Sequence, residues 1–381
     1  MNALGGLEAV LRHHRDCDSQ WGIDSRFVVL FESARPADNG RTQSLGLDWS
    51  TSIRDVRQRF GGRLPPREGE VVIYHDLWGV AILSDLDRSA RRVGFIHCPA
   101  DMILHCARRN LHLLDGILCV SPPVVEQLKE LLPRFPPERI QFIPIPVTAA
   151  PPETHRPPRN GREFVIGYSG RLIKADKRVD RLPQLCDFLQ KLSPSFRLEI
   201  LGSGPMKRWL ERKLRNCPKT VFHGEKRGPD YWKILSSWDA IVYVSDLEGM
   251  GLSLLEAMSV GVLPLYPDIS AGGEKYVRQV CRDLLYRPGD LEGLARILDD
   301  LSRRPEDEIE KLRRRSREAV AFHAGDAYHK TFEQFIKRIA EAPRISQRDF
   351  AIRPLYFADL LPFAVVGRCC PGAFYRATPT N

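Results

Sequence analysis

The sequence lacks the features of several special classes of protein. No run of eighteen apolar residues occurs, and no basic segment leads into a long apolar run at the start, so we expect neither a transmembrane helix nor a secretory signal. The nine cysteines are odd in number and include no C-x-x-C pair, which argues against a disulfide framework and a zinc ribbon. These absences predict a cytoplasmic protein.

The composition is that of a folded chain with room for two domains. It has 381 residues, of which 43% are apolar, and a formal net charge of +9. The charge favours anionic partners such as phosphates, lipid headgroups or nucleic acid. We expect no nucleic acid, because the sequence holds no recognisable RNA- or DNA-binding motif and no basic stripe interleaved with aromatic residues.

Apolar strand-like runs alternate with helical patterns in both halves of the chain, which predicts an α/β fold with parallel sheets covered on both faces. A proline-rich polar segment over 148–162 indicates a linker between a first domain, 1–147, and a second, 163–325. The main strand-like runs are 26–31, 71–76, 92–97, 116–121, 140–147, 164–170, 196–204, 220–224, 240–246 and 262–268.

The strongest candidate site is the segment 248–261, EGMGLSLLEAMSVG, which directly follows a predicted strand. In open parallel sheets, ligands lie beyond the carboxyl ends of the strands. Glycines that open a helix leave backbone N–H groups pointing outward, where they favour an anion. Glu248 and Glu256 would flank that anion, and carboxylates accept hydrogen bonds from sugar hydroxyls. The alternative is a capped helix start with an exposed glutamate.

A second candidate follows the predicted strand 164–170. Gly170 makes the turn, and Arg171 and Lys177 lie just beyond it. A diphosphate leaving group needs fixed cations, which an arginine fork and a lysine ammonium supply. The alternative is a set of ordinary solvated basic side chains.

Three weaker candidates remain. Gly5 and Gly6 either approach a phosphate or simply open a helix. His97, like His75 with Asp76, ends a predicted strand and faces either a cleft or the core. The turn LGSGP, 201–205, either serves a ligand or only packs.

The order of these motifs resembles the retaining glycosyltransferases of family 4. These enzymes have the GT-B fold, two Rossmann-like, doubly wound domains facing a cleft, with C-terminal helices that cross back to the first domain. The resemblance covers most of the chain, and it is specific in the second half and looser in the first. It rests on GGLE (5–8), GYSGRL (167–172) with Lys177, EILGSGP (199–205), VFHG (221–224) and EGMGLSLLEAMSVGVLP (248–264).

The resemblance implies a role for each matching residue. Glu248 would contact the donor sugar near the reacting carbon, Glu256 the ribose, and Arg171 with Lys177 the diphosphate, while His97 would lie by the reacting centre. Further donor contacts are implied for Gly5, Gly6, Gly170, Gly202, Gly224, Glu225, Lys226, Met250, Gly251 and Leu252, and acceptor-side contacts for His75 and Asp76.

Three departures from the family pattern matter. Arginine and lysine are one position further apart than usual, so Lys174 is an alternative to Lys177. The usual asparagine turn before the linker is replaced by Ile143–Thr148. Only four residues precede Gly5, so either the first strand is missing or this sequence begins downstream of the true start. We expect residues 326–381 to pack back on the first domain.

We expect no metal and no other cofactor. Asp85 and Asp87 form a D-x-D, a motif that holds a divalent metal in other transferases, but it does not follow a strand cleanly. No His, Cys and Asp cluster with metal spacing occurs along the sequence.

The resulting hypothesis is transfer of a hexose-type sugar, with retention, from a nucleoside-diphosphate sugar to a glycan, a lipid-linked saccharide or a small molecule. The alternative is a nucleotide-sugar-binding or scaffold protein of the same fold. The tail 343–381 either returns to the first domain or, with the basic surplus, rests on the inner face of a membrane.

Overall fold

The computed structural model divides the chain into two compact units. The first comprises residues 11–143 and the segment from 328 onward, and the second comprises residues 144–327 with the start of the first helix. The structure describes residues 6–31, 41–48, 50–61, 69–86, 90–98, 101–147, 150–151, 154, 161–192, 195–217, 219–323, 326–346, 350–354 and 375–379.

The first unit is built around a four-stranded parallel sheet. Its order is β3-β4-β5-β6, while β1 and β2 pair with each other in a separate parallel sheet. Strands β4 and β5 are almost wholly buried, as expected where helices cover both faces. The elements are α1 (Gly6–Cys17), β1 (Phe27–Phe31), β2 (Thr42–Leu47), α2 (Ile53–Gly61), β3 (Val71–His75), α3 (Val80–Leu83), β4 (Arg91–Ile96), α4 (Asp101–Arg109), β5 (Gly116–Cys119), α5 (Pro122–Leu131) and β6 (Ile140–Phe142).

The second unit contains a six-stranded parallel sheet with helices between its strands. Its order is β12-β11-β10-β7-β8-β9, so the chain winds outward from the centre in both directions. The elements are β7 (Phe164–Ser169), α6 (Leu182–Leu192), β8 (Phe196–Leu201), α7 (Lys207–Lys213), β9 (Val221–Gly224), α8 (Gly228–Ser237), β10 (Ala240–Val242), α9 (Leu252–Ser259), β11 (Leu263–Pro267), α10 (Gly273–Val280), β12 (Leu285–Tyr286), α11 (Leu291–Arg303) and α12 (Glu306–Val320).

The central strand β7 shows why this sequence suits the middle of the sheet. All six of its residues are buried. Its glycine, Gly167, lies against the fully buried ring of Trp238, and a Cβ atom there would overlap that ring. The indole N–H of Trp238 donates to Glu199 at 2.9 Å, which gives the buried polar group a partner.

The chain then returns to the first unit through α13 (Ala327–Glu341). Phe335 and Ile339 of this helix lie against Gly116 of β5, where a Cβ atom would crowd both side chains. Beyond it, Arg139 donates to the carbonyl of Pro343 at 2.8 Å. Strands β13 (Phe350–Pro354) and β14 (Tyr375–Pro379) pair antiparallel. Of the tail 343–381, which was expected either to return to the first domain or to rest on a membrane, residues 347–349, 355–374 and 380–381 lie outside the described residues.

The predicted α/β class with parallel sheets is confirmed. Among the described helices, none combines the length and the apolar character that crossing a membrane requires. The sequence argued against a disulfide framework, and the structure contains one pairing among the described cysteines, a disulfide between Cys186 and Cys217 with Cα atoms 6.2 Å apart. The two residues are 31 positions apart, and their spacing gave no sign of the pairing.

Candidate functional site

The sheet of the second unit has a switch point, at which the strand order reverses. Strand β7 pairs with β8 on one side and with β10 on the other. The connections that follow the neighbouring strands β7 and β10 therefore lead away in opposite directions. Open α/β sheets bind ligands at such a point. Gly170, Arg171 and Lys177 follow β7, and residues 248–252 follow β10, so the structure brings the two candidate segments to one edge of the sheet.

Lys177 and Glu248 join these two loops. The Lys177 ammonium donates to one carboxylate oxygen of Glu248 at 2.6 Å, and the Ser245 hydroxyl donates to the other at 2.6 Å. Glu248 is only 4% exposed, so both of its oxygens are satisfied inside the protein. Lys174, the alternative cation, is exposed. Lys177 is therefore the lysine that lies against the predicted sugar-binding carboxylate.

A second set of ion pairs fixes the same loops. Arg171 contacts Asp176 at 3.1 Å, and the carbonyl of Asp176 accepts the backbone N–H of Asp246 at 3.0 Å. Asp246 is also bound by Arg178 and by Arg181, the latter at 2.6 Å. Burial raises the pKa of Asp246, but these two arginines outweigh it and leave the pKa below its usual value. The Arg171 side chain remains 43% exposed, which leaves its guanidinium accessible to an anion.

Glu256 lies on α9 beside a tyrosine of the preceding helix. The Tyr231 hydroxyl donates to the Glu256 carboxylate at 2.5 Å. Burial raises the pKa of Glu256 to about 7, although the bond from Tyr231 lowers it. This carboxyl therefore changes its charge near neutral pH, whereas an ordinary glutamate is ionised there.

Glycines allow close backbone approach where β7 and β8 end. The N–H of Gly202 donates to the carbonyl of Gly224 at 2.8 Å, and that of Gly170 donates to the carbonyl of Leu201 at 3.0 Å. Gly202 has φ +140°, and a Cβ atom there would overlap the carbonyl oxygen of Gly170. The predicted glycines at these three positions thus form one connected turn region.

The remaining donor-side candidates lie around this region. The Ser203 hydroxyl donates to Glu225 at 2.5 Å, and Lys226, which follows, is partly buried. Gly251 adopts φ +73° directly before α9, which begins at Leu252. Met250 is buried at 1% exposure. The first N–H groups of α9 therefore point toward the loop after β10, as a helix start requires.

The predicted acceptor-side residues, His75 and Asp76, form a cluster in the first unit with His97, which was predicted to lie by the reacting centre. His75 ends β3 and His97 follows the neighbouring β4, and their Nδ1 and Nε2 atoms share a hydrogen bond of 2.9 Å. The Asp76 carboxylate accepts the backbone N–H of His97 at 2.7 Å. Burial lowers the pKa of His97 to about 3 and raises that of Asp76 to about 6. The histidines are thus neutral at physiological pH.

The glycine pair at the start of the chain and the D-x-D motif are only partly covered by the described residues. Gly5 lies outside the described residues, and Gly6 is the first residue of α1. Asp85 of the D-x-D is bound by both terminal nitrogens of Arg57 at 2.8 Å, so its carboxylate serves an internal ion pair, while Asp87 lies outside the described residues.

Sequence reasoning missed several residues of these sites. Ser245 donates a hydrogen bond to Glu248, and Tyr231 donates one to Glu256. In the sequence, Ser245 and Tyr231 were recognisable only as polar residues near strand or helix ends. His13, Cys17 and His329 also meet in the first unit, and no linear spacing along the sequence indicates this grouping.

Comparison with known proteins gives similarity to glycosyltransferases. Residues 152–321 match the family model described as glycosyl transferases group 1. Lipopolysaccharide 1,6-galactosyltransferase of Escherichia coli (strain K12) is 27% identical over 150 residues, 37% of this chain and 40% of the relative. Sulfoquinovosyl transferase SQD2 of Arabidopsis thaliana is 31% identical over 131 residues, 34% of this chain and 24% of the relative. The aligned part is thus less than half of either relative.

Solved structures extend the similarity over most of the fold. The lipopolysaccharide outer core galactosyltransferase WaaB, in its apo form, has a TM-score of 0.65 at 19% identity, with 88% of this chain and 97% of the other covered. WaaG, a glycosyltransferase involved in lipopolysaccharide biosynthesis, has a TM-score of 0.61 at 14% identity, with 89% and 97% covered. The chain has the GT-B fold of glycosyltransferases, and its residues 152–321 carry a region similar to glycosyl transferases group 1.

Proposed function

We propose that this chain is a glycosyltransferase that moves a hexose-type sugar from a nucleoside-diphosphate donor to an acceptor, with retention of the anomeric configuration. The observation that carries the proposal is the Lys177–Glu248 contact of 2.6 Å at the switch point, with the accessible Arg171 on the same loop as Lys177. Cations for a diphosphate and a carboxylate for a sugar thus occur side by side.

Arg171 and Lys177 would bind the donor diphosphate. Both cations are paired with carboxylates in the structure, Arg171 with Asp176 and Lys177 with Glu248. A diphosphate carries more negative charge than either carboxylate. It would therefore bind the exposed side of the Arg171 guanidinium, and the Lys177 ammonium would contact both the diphosphate and Glu248. Their fixed charge would stabilise the negative charge that grows on the diphosphate as it departs.

The carboxylates would orient the two sugars of the donor. Glu248 would accept hydrogen bonds from hydroxyls of the transferred sugar, and Glu256 from the ribose hydroxyls, since ionised carboxylates offer only acceptors. The N–H groups at the start of α9 would face the diphosphate. Gly202, Gly224, Glu225 and Lys226 would lie toward the base.

Retention would follow from attack on the face that the diphosphate leaves. The bond from the anomeric carbon to the diphosphate oxygen breaks and its electron pair stays on the diphosphate. The acceptor oxygen forms its bond to the same face, and its proton passes to a diphosphate oxygen. His97, neutral and held by His75 and Asp76, would position a sugar hydroxyl at this centre. The cations of Arg171 and Lys177 would supply the charge that a metal supplies in other transferases.

The acceptor belongs to the class of glycans or lipid-linked saccharides in this proposal. Support comes from the relatives, among which are a lipopolysaccharide galactosyltransferase and a putative colanic acid biosynthesis glycosyltransferase of Salmonella typhimurium. The net charge of +9 would favour an anionic membrane that carries such an acceptor, with the protein on its cytoplasmic side.

A transfer assay tests the proposal. The full chain is incubated with uridine, guanosine and adenosine diphosphate hexoses and a panel of glycan acceptors, and the anomeric configuration of any product is read by NMR. We expect Arg171→Ala and Glu248→Ala to abolish transfer, and Arg296→Ala, on the exposed face of α11, to leave it unchanged. Full transfer activity in Arg171→Ala would exclude the proposed role of Arg171 in binding the diphosphate. A donor that binds to the chain but is never consumed would favour a nucleotide-sugar-binding or scaffold protein.

A further inference from the structure

A thiol and two imidazoles meet between the first helix and the last helix of the first unit. The ligand atoms of His13, Cys17 and His329 all lie within 4.8 Å of one another. The Nε2 atoms of His13 and His329 are 2.8 Å apart, and the Cys17 sulfur is 3.9 Å from Nδ1 of His13. Within the described part of the chain, this is a group of potential metal ligands outside the proposed donor site.

Helical geometry brings the three side chains together. His13 and Cys17 are four residues apart on α1, so they share one face of that helix. His329 lies in the first turn of α13, more than 300 positions later. The His14 ring packs edge-on against Tyr328 and tilted against Phe332 of α13, with centroids 5.2 and 4.5 Å away, which fixes the two helices against each other.

An outer layer of contacts holds the cluster. The Trp21 ring stacks on His329 at 5.1 Å, with 7° between the ring planes. Asp18 is 1% exposed, accepts a hydrogen bond from Nδ1 of His14 at 2.8 Å, and lies 4.0 Å from Nδ1 of His329. Aromatic walls and a buried carboxylate beside a ligand histidine are the surroundings that orient metal ligands in proteins.

The chemistry of the donor set selects the ion. Imidazole nitrogen and thiolate sulfur suit zinc, whereas magnesium and calcium require oxygen ligands. Zinc–nitrogen and zinc–sulfur bonds of about 2.0–2.3 Å place the ligand atoms of one ion roughly 3–4 Å apart, and the three ligand atoms here already lie within 4.8 Å of one another.

We propose that His13, Cys17 and His329 form a zinc site that fixes α1 against α13, with water as the fourth ligand. On binding, the Cys17 S–H bond breaks, the sulfur keeps the electron pair and binds zinc, and the proton leaves to solvent. His13 and Cys17 are partly exposed, which gives the ion a path to the site. The proposal is independent of the transfer reaction, because its test measures metal binding alone.

The test uses the full chain, freed of metal by a chelator and then titrated with zinc against a chromophoric zinc indicator. We expect one zinc ion per chain and a higher melting temperature with zinc. Loss of a residue that hydrogen-bonds to a metal ligand weakens metal affinity about 10- to 100-fold. Loss of a ligand itself should cost more, so Cys17→Ala and His329→Gln should each weaken zinc affinity by at least about 100-fold. Cys281→Ala and His112→Gln, which change a thiol and an exposed imidazole elsewhere, should leave it unchanged.

Cobalt provides a readout that needs no variant. Cobalt(II) bound to the wild-type chain should show a thiolate-to-metal charge-transfer band and the visible absorption of a tetrahedral site. If a substitution unfolds the chain, this spectrum alone decides the question. Absence of the thiolate band, absence of zinc binding, or equal zinc affinity in a folded Cys17→Ala chain would overturn the proposal and leave a purely hydrogen-bonded histidine pair.

Discussion

The Lys177 ammonium donates to the Glu248 carboxylate at 2.6 Å, although 71 positions separate the two residues. One follows β7 and the other follows β10, the strands that flank the switch point of the sheet. The contact places a cation and a carboxylate together at the edge where an open α/β sheet binds its ligand. It is the relationship on which the proposed donor site depends.

Removal of the lysine should destabilise the second unit. Lys177→Met leaves the buried Glu248 charge with Ser245 as its partner, and we expect the free energy of unfolding to fall by about 1–3 kcal/mol. Lys177→Met with Glu248→Gln should recover part of that loss, because no unpaired charge remains. Urea unfolding of the two single variants and the double variant measures the coupling, and a coupling below about 0.5 kcal/mol would contradict the pairing.

Nucleotide binding should depend on pH through Glu256. Its pKa of about 7 means that the carboxyl is mostly protonated at pH 6 and mostly ionised at pH 8. Since only the ionised form would accept hydrogen bonds from both ribose hydroxyls in the proposed donor site, we expect affinity for a nucleoside diphosphate to rise up to about 10-fold over this range. Calorimetry on Glu256→Gln should show weaker binding without this rise, and Glu292→Gln, exposed on α11, should behave as wild type. If the affinity of Glu256→Gln still rose between pH 6 and pH 8, the pH dependence would belong to another titrating group.

The histidine pair should affect turnover more than donor binding. His75→Phe keeps an aromatic ring but removes the hydrogen bond to His97, so we expect the transfer rate to fall about 10-fold while nucleotide affinity stays constant. His105→Phe, on the exposed face of α4, is the control. Because burial lowers the pKa of His97 to about 3, the rate should show no inflection from this residue between pH 5 and 8. Unchanged turnover in His75→Phe would exclude a positioning role.

Two glycines of the proposed donor region should differ in their tolerance of alanine. Gly202 has φ +140° and no room for a Cβ atom beside Gly170, so Gly202→Ala should lower the free energy of unfolding by about 2–4 kcal/mol. Gly224 has φ +68° and open space, so Gly224→Ala should cost only the left-handed backbone penalty of about 1–2 kcal/mol. Thermal unfolding of the two variants measures these losses. Equal losses of unfolding free energy in Gly202→Ala and Gly224→Ala would contradict the predicted clash with the carbonyl of Gly170.

Much of the fold could be predicted from the sequence because its signal is local. Strands such as β7 and β8 are apolar runs that end in glycine turns, and they are present where the pattern placed them. Strand β2, TQSLGL, was missed because its residues are mostly polar or small. The Cys186–Cys217 disulfide was missed because it depends on how α6 packs, which no local pattern contains.

The candidate site was predictable to a smaller extent. The charge, glycines and strand ends identified Arg171, Lys177, Glu248 and Glu256 as candidates, and their roles stay predictions. The pairing of Lys177 with Glu248, in preference to Lys174, required the register of β7 against β10. The cluster of His13, Cys17 and His329 required the packing of two helices from opposite ends of the chain.

Calorimetric titration of uridine, guanosine and adenosine diphosphates into the wild-type chain is the most direct test of the donor site. We expect at least one of them to bind, and Arg171→Ala and Lys177→Ala each to weaken that binding about 10- to 100-fold, since a charged hydrogen bond contributes about 1.5–3 kcal/mol. Arg296→Ala should bind as wild type. Binding by neither wild type nor variants, or equal binding by all four proteins, would contradict the assignment of Arg171 and Lys177 to the diphosphate.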